Sequence, residues 1–161
     1  MESISSSYLK MVHNGCLKHC ADDAALLSLL PGGVRDLDNP SRRFDRNLAA
    51  ALINKAVEIT GDTTIGIKVG MDFRPETLLD LGYALPFCEN LREVIALNAY
   101  YQRLIQTIGT TKLSLRGGSA WLDWTPHYET TEFHRYFVEM IFTGYATIGR
   151  WLLWRQENPV L

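Results

Sequence analysis

The sequence predicts an α+β domain in which helices pack around a small antiparallel sheet. Three observations carry this. Residues 46–108 read as a series of helices, with apolar residues recurring at three- and four-residue spacing. At 111–125 the period drops to two on either side of Gly117-Gly118, the pattern of a β-hairpin. From 131 to 155 one long apolar stretch has a single narrow polar stripe, as a largely buried helix does.

The 161 residues suit one domain, 1–161. With 47% hydrophobic and 21% charged residues, the chain can build a core and does not look disordered. A net charge of −2 argues against direct DNA binding by this segment, because phosphate neutralisation needs a clustered excess of Lys and Arg. The N-terminal MESISSSYLKMVHNG lacks the apolar centre of a signal peptide. Three cysteines, Cys16, Cys20 and Cys88, are too few for a disulfide framework and fit a reducing, cytoplasmic setting.

In chain order, Tyr8–His13 reads as a short helix stopped by Asn14-Gly15. Asp22 or Asp23 caps a second helix through Leu30, closed by Pro31-Gly32-Gly33. Residues 34–43 read as a loop. Its Arg35, Arg42 and Arg43 stand beside Asp36 and Asp38, and self-compensation is the simpler reading over an anion site. Asp45 caps a helix 46–60 with Leu48, Leu52, Ala56 and Ile59 on one face. Gly61 ends it, and Asp62 caps a short helix 63–69 closed by Gly70.

Pro75 suits the first turn of the next helix, where its missing N–H costs nothing. Leu78, Gly82 and Leu85 share a face there. Gly82 costs about 1 kcal/mol relative to alanine inside a helix, so close approach of another backbone is expected to offset it. Asn90 with Glu93 resembles a capping box for the following helix. Its apolar stripe is Leu91, Val94, Ile95, Tyr101, Ile105 and Ile108, interrupted by Asn98. Asn98 must find a hydrogen bond, either within the protein or with a ligand.

In the hairpin, Leu113 and Leu115 face Ala120, Leu122 and Trp124. A lone two-stranded hairpin is marginal in water. Residues 42–44 and 159–161 are the spare segments that could extend it. The last helix, capped by Thr130 or Thr131, presents Phe133, Phe137, Met140, Ile141, Gly144, Ile148 and Leu152 on one face, and Arg135 and Glu139 are spaced for an ion pair. Glu139 and Arg150 argue against a membrane span in 136–154.

Chemistry-bearing motifs are sparse. No nucleophile elbow, phosphate loop or paired-carboxylate motif is present, so no catalytic residue is assigned and the chain is not expected to be an enzyme. His13, Cys16, His19 and Cys20 have zinc-type ligands but poor spacing, so no metal is assigned. Aromatics concentrate in the second half, which suits an apolar ligand pocket as well as an ordinary core. The candidate ligand-binding residues are Tyr83, Phe87, Asn98, Tyr101, Trp121, Trp124 and His134, although a satisfied core histidine is the simpler reading of His134.

Three segments taken together resemble the N-terminal arabinose-binding, or dimerisation, domain of AraC-type transcription regulators. They are LAAALINKAVEITGDTTIGIKVG (48–70), the stretch 78–103 with Leu-Gly-Tyr-Ala followed by Asn-Leu-Arg-Glu-Val, and the hairpin with its long helix ending in Trp and Leu. The resemblance implies a cytoplasmic regulator whose N-terminal half senses a small-molecule effector and forms a homodimer. DNA would be reached only through a C-terminal pair of helix-turn-helix units, which do not occur before Leu161. The dimer face is expected on the last helix, at Trp151 and Trp154. The same order of elements loosely resembles haem-based nitric-oxide sensors, but Asn98-Ala99-Tyr100-Tyr101 holds no histidine, so no cofactor is expected. The alternative is a free-standing small-molecule sensor or carrier of the same fold.

Overall fold

The N-terminal helix runs straight through the glycine expected to end it. In the structure, a computed structural model describing residues 2–20, 22–75 and 80–157, α1 spans Ser6–Cys20. Gly15 is buried inside it, and a Cβ there would come within 2.6 Å of Val69 Cγ1. The glycine serves a close helix crossing and is not a stop signal. Continuity of α1 puts Val12, His13 and Cys16 on its buried side.

Before α1, β1 (Ser3–Ser5) pairs antiparallel with β2 (Arg43–Asp45), with Ile4 opposite Phe44. Residues 42–44 therefore do supply a strand, but to the N-terminus and not to the hairpin. Ile4 also bridges Gln106, and Thr107 N–H donates to Ser3 O at 2.9 Å. Arg43 fastens this corner, donating to Ser3 Oγ at 2.7 Å and to Leu104 O at 3.0 Å.

Between them lie two short helices. α2 (Asp23–Leu27) is capped by Asp22, which accepts from Ala25 N–H at 3.0 Å. α3 (Val34–Leu37) occupies the segment read as loop. Its charges compensate one another only in part: Arg42 pairs with the buried Asp36 at 2.8 Å, whereas Asp38 pairs with Lys10 of α1 at 2.7 Å.

α4 (Asn47–Thr60) begins with Asn47 N–H donating to Asp45 Oδ1 and ends at Gly61, which adopts φ 69°. Leu52 and Ala56 are fully buried, whereas Ile59 is turned outward. Asp62 receives Thr64 N–H, and α5 follows at Ile65–Met71, later than the sequence suggests. Gly70 does not close α5 but lies inside it. Gly66 and Gly70 form one face, laid directly on the last helix: a Cβ at Gly66 would collide with Tyr136 O, and one at Gly70 would come within 2.6 Å of Met140 O.

The helix containing Gly82 is described from Asp80 to Ala84 (α6), continuing as a 3₁₀ turn, Leu85–Phe87. Leu78 lies outside the described residues. A Cβ on Gly82 would fall on the Pro75 carbonyl, so the close backbone approach is present. α7 (Leu91–Ile105) is capped by Asn90, which accepts from Glu93 N–H at 3.1 Å, while Glu93 receives Glu89 N–H at 2.8 Å.

The hairpin is β3 (Gly109–Arg116) and β4 (Ser119–Pro126), in the register Leu113–Leu122 and Leu115–Ala120. Gly117 and Gly118 take φ of 56° and 80°, the two positive values that a type I′ turn needs. Among the described residues no third strand joins it; residues 159–161 lie outside them. A 3₁₀ turn (Glu132–His134) capped by Thr131 leads into α8, Arg135–Glu157. Phe137 and Met140 are almost fully buried, and Arg135 donates to Glu139 at 3.1 Å. Phe133 is the exception on the expected apolar face, being 42% exposed. The fold class is thus α+β as expected, but with two separate two-stranded sheets in place of one. No described helix is long and apolar enough to cross a membrane.

Candidate functional site

The aliphatic face of the hairpin touches α8 only at its Thr111–Trp124 end. It lines a cavity of about 540 Å³, closed on its other sides by α7 and α8. From the hairpin come Thr111, Leu113, Ala120, Leu122 and Trp124. α7 gives Val94, Ile95, Asn98, Gln102 and Ile105. α8 gives Ile141, Phe142, Tyr145, Ile148 and Leu152. Phe73, Ile108 and Thr111 are buried at its depth, whereas Phe142 and Leu153 are about half exposed and mark its rim. Trp124 meets Phe142 edge to face, ring centroids 6.4 Å apart. The volume suits a small organic ligand, and the walls are overwhelmingly hydrocarbon.

The polar groups are few and convergent. Thr111 Oγ1 and Tyr145 OH are hydrogen-bonded at 2.5 Å, and Asn98 stands near the same tyrosine. Burial raises the Tyr145 hydroxyl above its ordinary value, with Thr111 and Asn98 opposing the shift, so it stays a neutral donor and acceptor. Tyr8 is raised too, by burial and then by the proximity of Tyr145 and Tyr128. Gln106 is committed to the backbone: its Oε1 accepts from Ile108 N–H at 2.6 Å and Gly109 N–H at 3.2 Å. Gln102 is different. It is only 6% exposed, and its Oε1 is buried without a hydrogen-bond partner. A buried amide carbonyl left unbonded costs about 1–3 kcal/mol, so a group that satisfies it is strongly favoured.

Of the residues anticipated for a ligand, Asn98 and Trp124 line this cavity. Tyr83, Phe87, Tyr101 and Trp121 do not; they point outward, Tyr83 at 72% and Phe87 at 87% exposure. His134 is buried elsewhere. Thr131 N–H donates to its Nδ1 at 3.2 Å, which leaves Nε2 to donate to Asn47 Oδ1 at 3.1 Å. Burial, then Arg46, pushes its pKa below 6.5, so it is a neutral, fully bonded joint between α4 and the 3₁₀ turn that precedes α8. Gln102, Thr111 and Tyr145 went unanticipated as site residues, although Gln102 is spaced four residues from Asn98 and eight from Val94, on the inward face of α7.

The histidines and cysteines of α1 serve other contacts. His19 Nε2 lies 2.7 Å from Asp72, and Lys18 bonds the same carboxylate. Burial pushes the Cys16 thiol up to about 12, with Cys20 adding to the shift, which makes it an unreactive core group.

A family model described as the arabinose-binding domain of AraC transcription regulators, N-terminal, matches residues 25–161. No curated protein and no solved structure matches the chain.

Proposed function

The chain belongs to the family of N-terminal arabinose-binding domains of AraC transcription regulators, and on that premise we propose that its effector binds in the cavity between the hairpin, α7 and α8. The family is one of regulatory ligand-binding domains and not of enzymes. The observation that carries the proposal is the hairpin's apolar face, which meets α8 at its Thr111–Trp124 end and lines a cavity over the rest.

A mechanism follows from that placement. The hairpin is a two-stranded sheet whose aliphatic side chains face unfilled space, so it lacks part of the burial that normally stabilises such a unit. An occupant supplies that burial and selects one arrangement of hairpin, α7 and α8 from a broader ensemble. In the full regulator this population shift would alter how attached DNA-binding units sit on their sites, in the cytoplasm and as a homodimer. The small-molecule effector and the DNA-binding units are the partners; the chain's own charge gives it no direct DNA role.

A thermal-shift screen of metabolites combined with hydrogen exchange tests the site. A ligand at 100 times its Kd adds about 2.7 kcal/mol of stability. Exchange in 109–126 should slow more than exchange in α4. A stabilising ligand that leaves the hairpin amides unchanged would remove the cavity from consideration.

For dimerisation we propose the exposed side of α8 near its end. Trp154 is 60% exposed, while Trp151 packs partly against the core. Trp154→Glu is therefore the cleaner test. Light scattering should report a shift from dimer to monomer with the melting temperature little changed; an intact dimer would eliminate this face.

A further inference from the structure

We infer that the cavity's occupant is an apolar molecule ending in one anionic group of the carboxylate class, held with its charge against Arg150 at the rim. This rests on the reading of the cavity as the effector site. Among the described residues Arg150 is the one charged residue in the lining, and it is exposed, as are Phe142 and Leu153. None of the ion pairs among the described residues involves it.

The distribution of polarity selects the ligand class. A cation would meet Arg150 and, among the described residues, no carboxylate. A sugar presents hydroxyls all round and needs polar side chains all round. Here Thr111 and Tyr145 satisfy each other, Gln102 Oε1 offers a single buried acceptor, and the remaining walls are mostly aliphatic. An apolar body gains about 25 cal/mol for each Å² removed from water. A charge at the rim remains hydrated, avoiding the cost of burial. The planar fork of the guanidinium matches a carboxylate in geometry, which a lysine ammonium does not.

The test compares decanoate with decanol at pH 7, below their aggregating concentrations, by calorimetric titration of the whole chain. Both probes should bind the wild type. Arg150→Gln should weaken decanoate about fivefold and leave decanol unchanged, as for a rim-exposed ion pair. Arg150→Lys should fall between. If the two probes weaken alike, or neither changes, Arg150 does not read charge and the inference fails while the cavity site survives. If neither probe binds the wild type, or both still bind once the cavity is filled from Gly149, the effector-site reading fails with it.

Discussion

Replacing Gly66 with alanine should destabilise the domain by at least about 2 kcal/mol, a loss out of proportion to one methyl group. In an exposed helix the same change stabilises by up to about 1 kcal/mol, because glycine is the poorer helix former. The sign reverses because the added Cβ meets the Tyr136 carbonyl of α8, and backbone cannot rotate away as a side chain can. Overpacking of this kind costs about 1–3 kcal/mol, and here it also pries α5 from α8 along a face that includes Gly70. For a chain of this length each kcal/mol moves the melting temperature by about 2–4 °C, so a drop of roughly 5 °C or more should be seen by calorimetry. An unchanged or raised melting temperature would mean that the two helices do not cross at Gly66.

That crossing shows where sequence reasoning reaches and where it stops. The hairpin is legible because its determinants are local: alternation over 111–125 and two glycines at the turn. The long helix is legible for the same reason, since apolar period and Thr131 cap lie within a few residues of one another. Gly15 and Gly70 are ambiguous in the sequence because glycine ends a helix and permits a helix crossing with the same letter. Only the partner, Val69 in one case and Met140 in the other, tells which. β2 could be named as a spare strand, but its pairing with Ser3–Ser5 is a contact across some forty residues that no local pattern encodes.

The site was partly legible. Asn98 was flagged because a polar residue on an apolar stripe demands a partner, and Trp124 because alternation put it on the aliphatic face. Tyr83, Phe87, Tyr101 and Trp121 were chosen for being aromatic, a property that says nothing of direction. Tyr101 adjoins Gln102 on α7, and one residue is a turn of about a hundred degrees. Gln102 faces the cavity and Tyr101 faces out.

Gly149→Leu should do the opposite of Gly66→Ala: stabilise the empty domain and abolish effector binding. Gly149 lies in α8, lines the cavity, and a Cβ there would meet nothing within 4 Å. Removing glycine from a helix interior gains up to about 1 kcal/mol. Burying the new side chain in the apolar cavity adds a further 1–2 kcal/mol or so. The melting temperature should therefore rise by several degrees without ligand. The isobutyl group then occupies the space proposed for the effector, so the apparent affinity of any cavity ligand, read from its thermal shift, should fall at least about a hundredfold, the equivalent of about 2.7 kcal/mol. Gly149→Ala separates the two effects: it keeps the gain in helix stability but fills little volume, and should leave most binding intact. The cavity assignment requires that stability and affinity move in opposite directions as the side chain grows from glycine through alanine to leucine. Undiminished binding in the leucine variant would place the effector somewhere else on the domain.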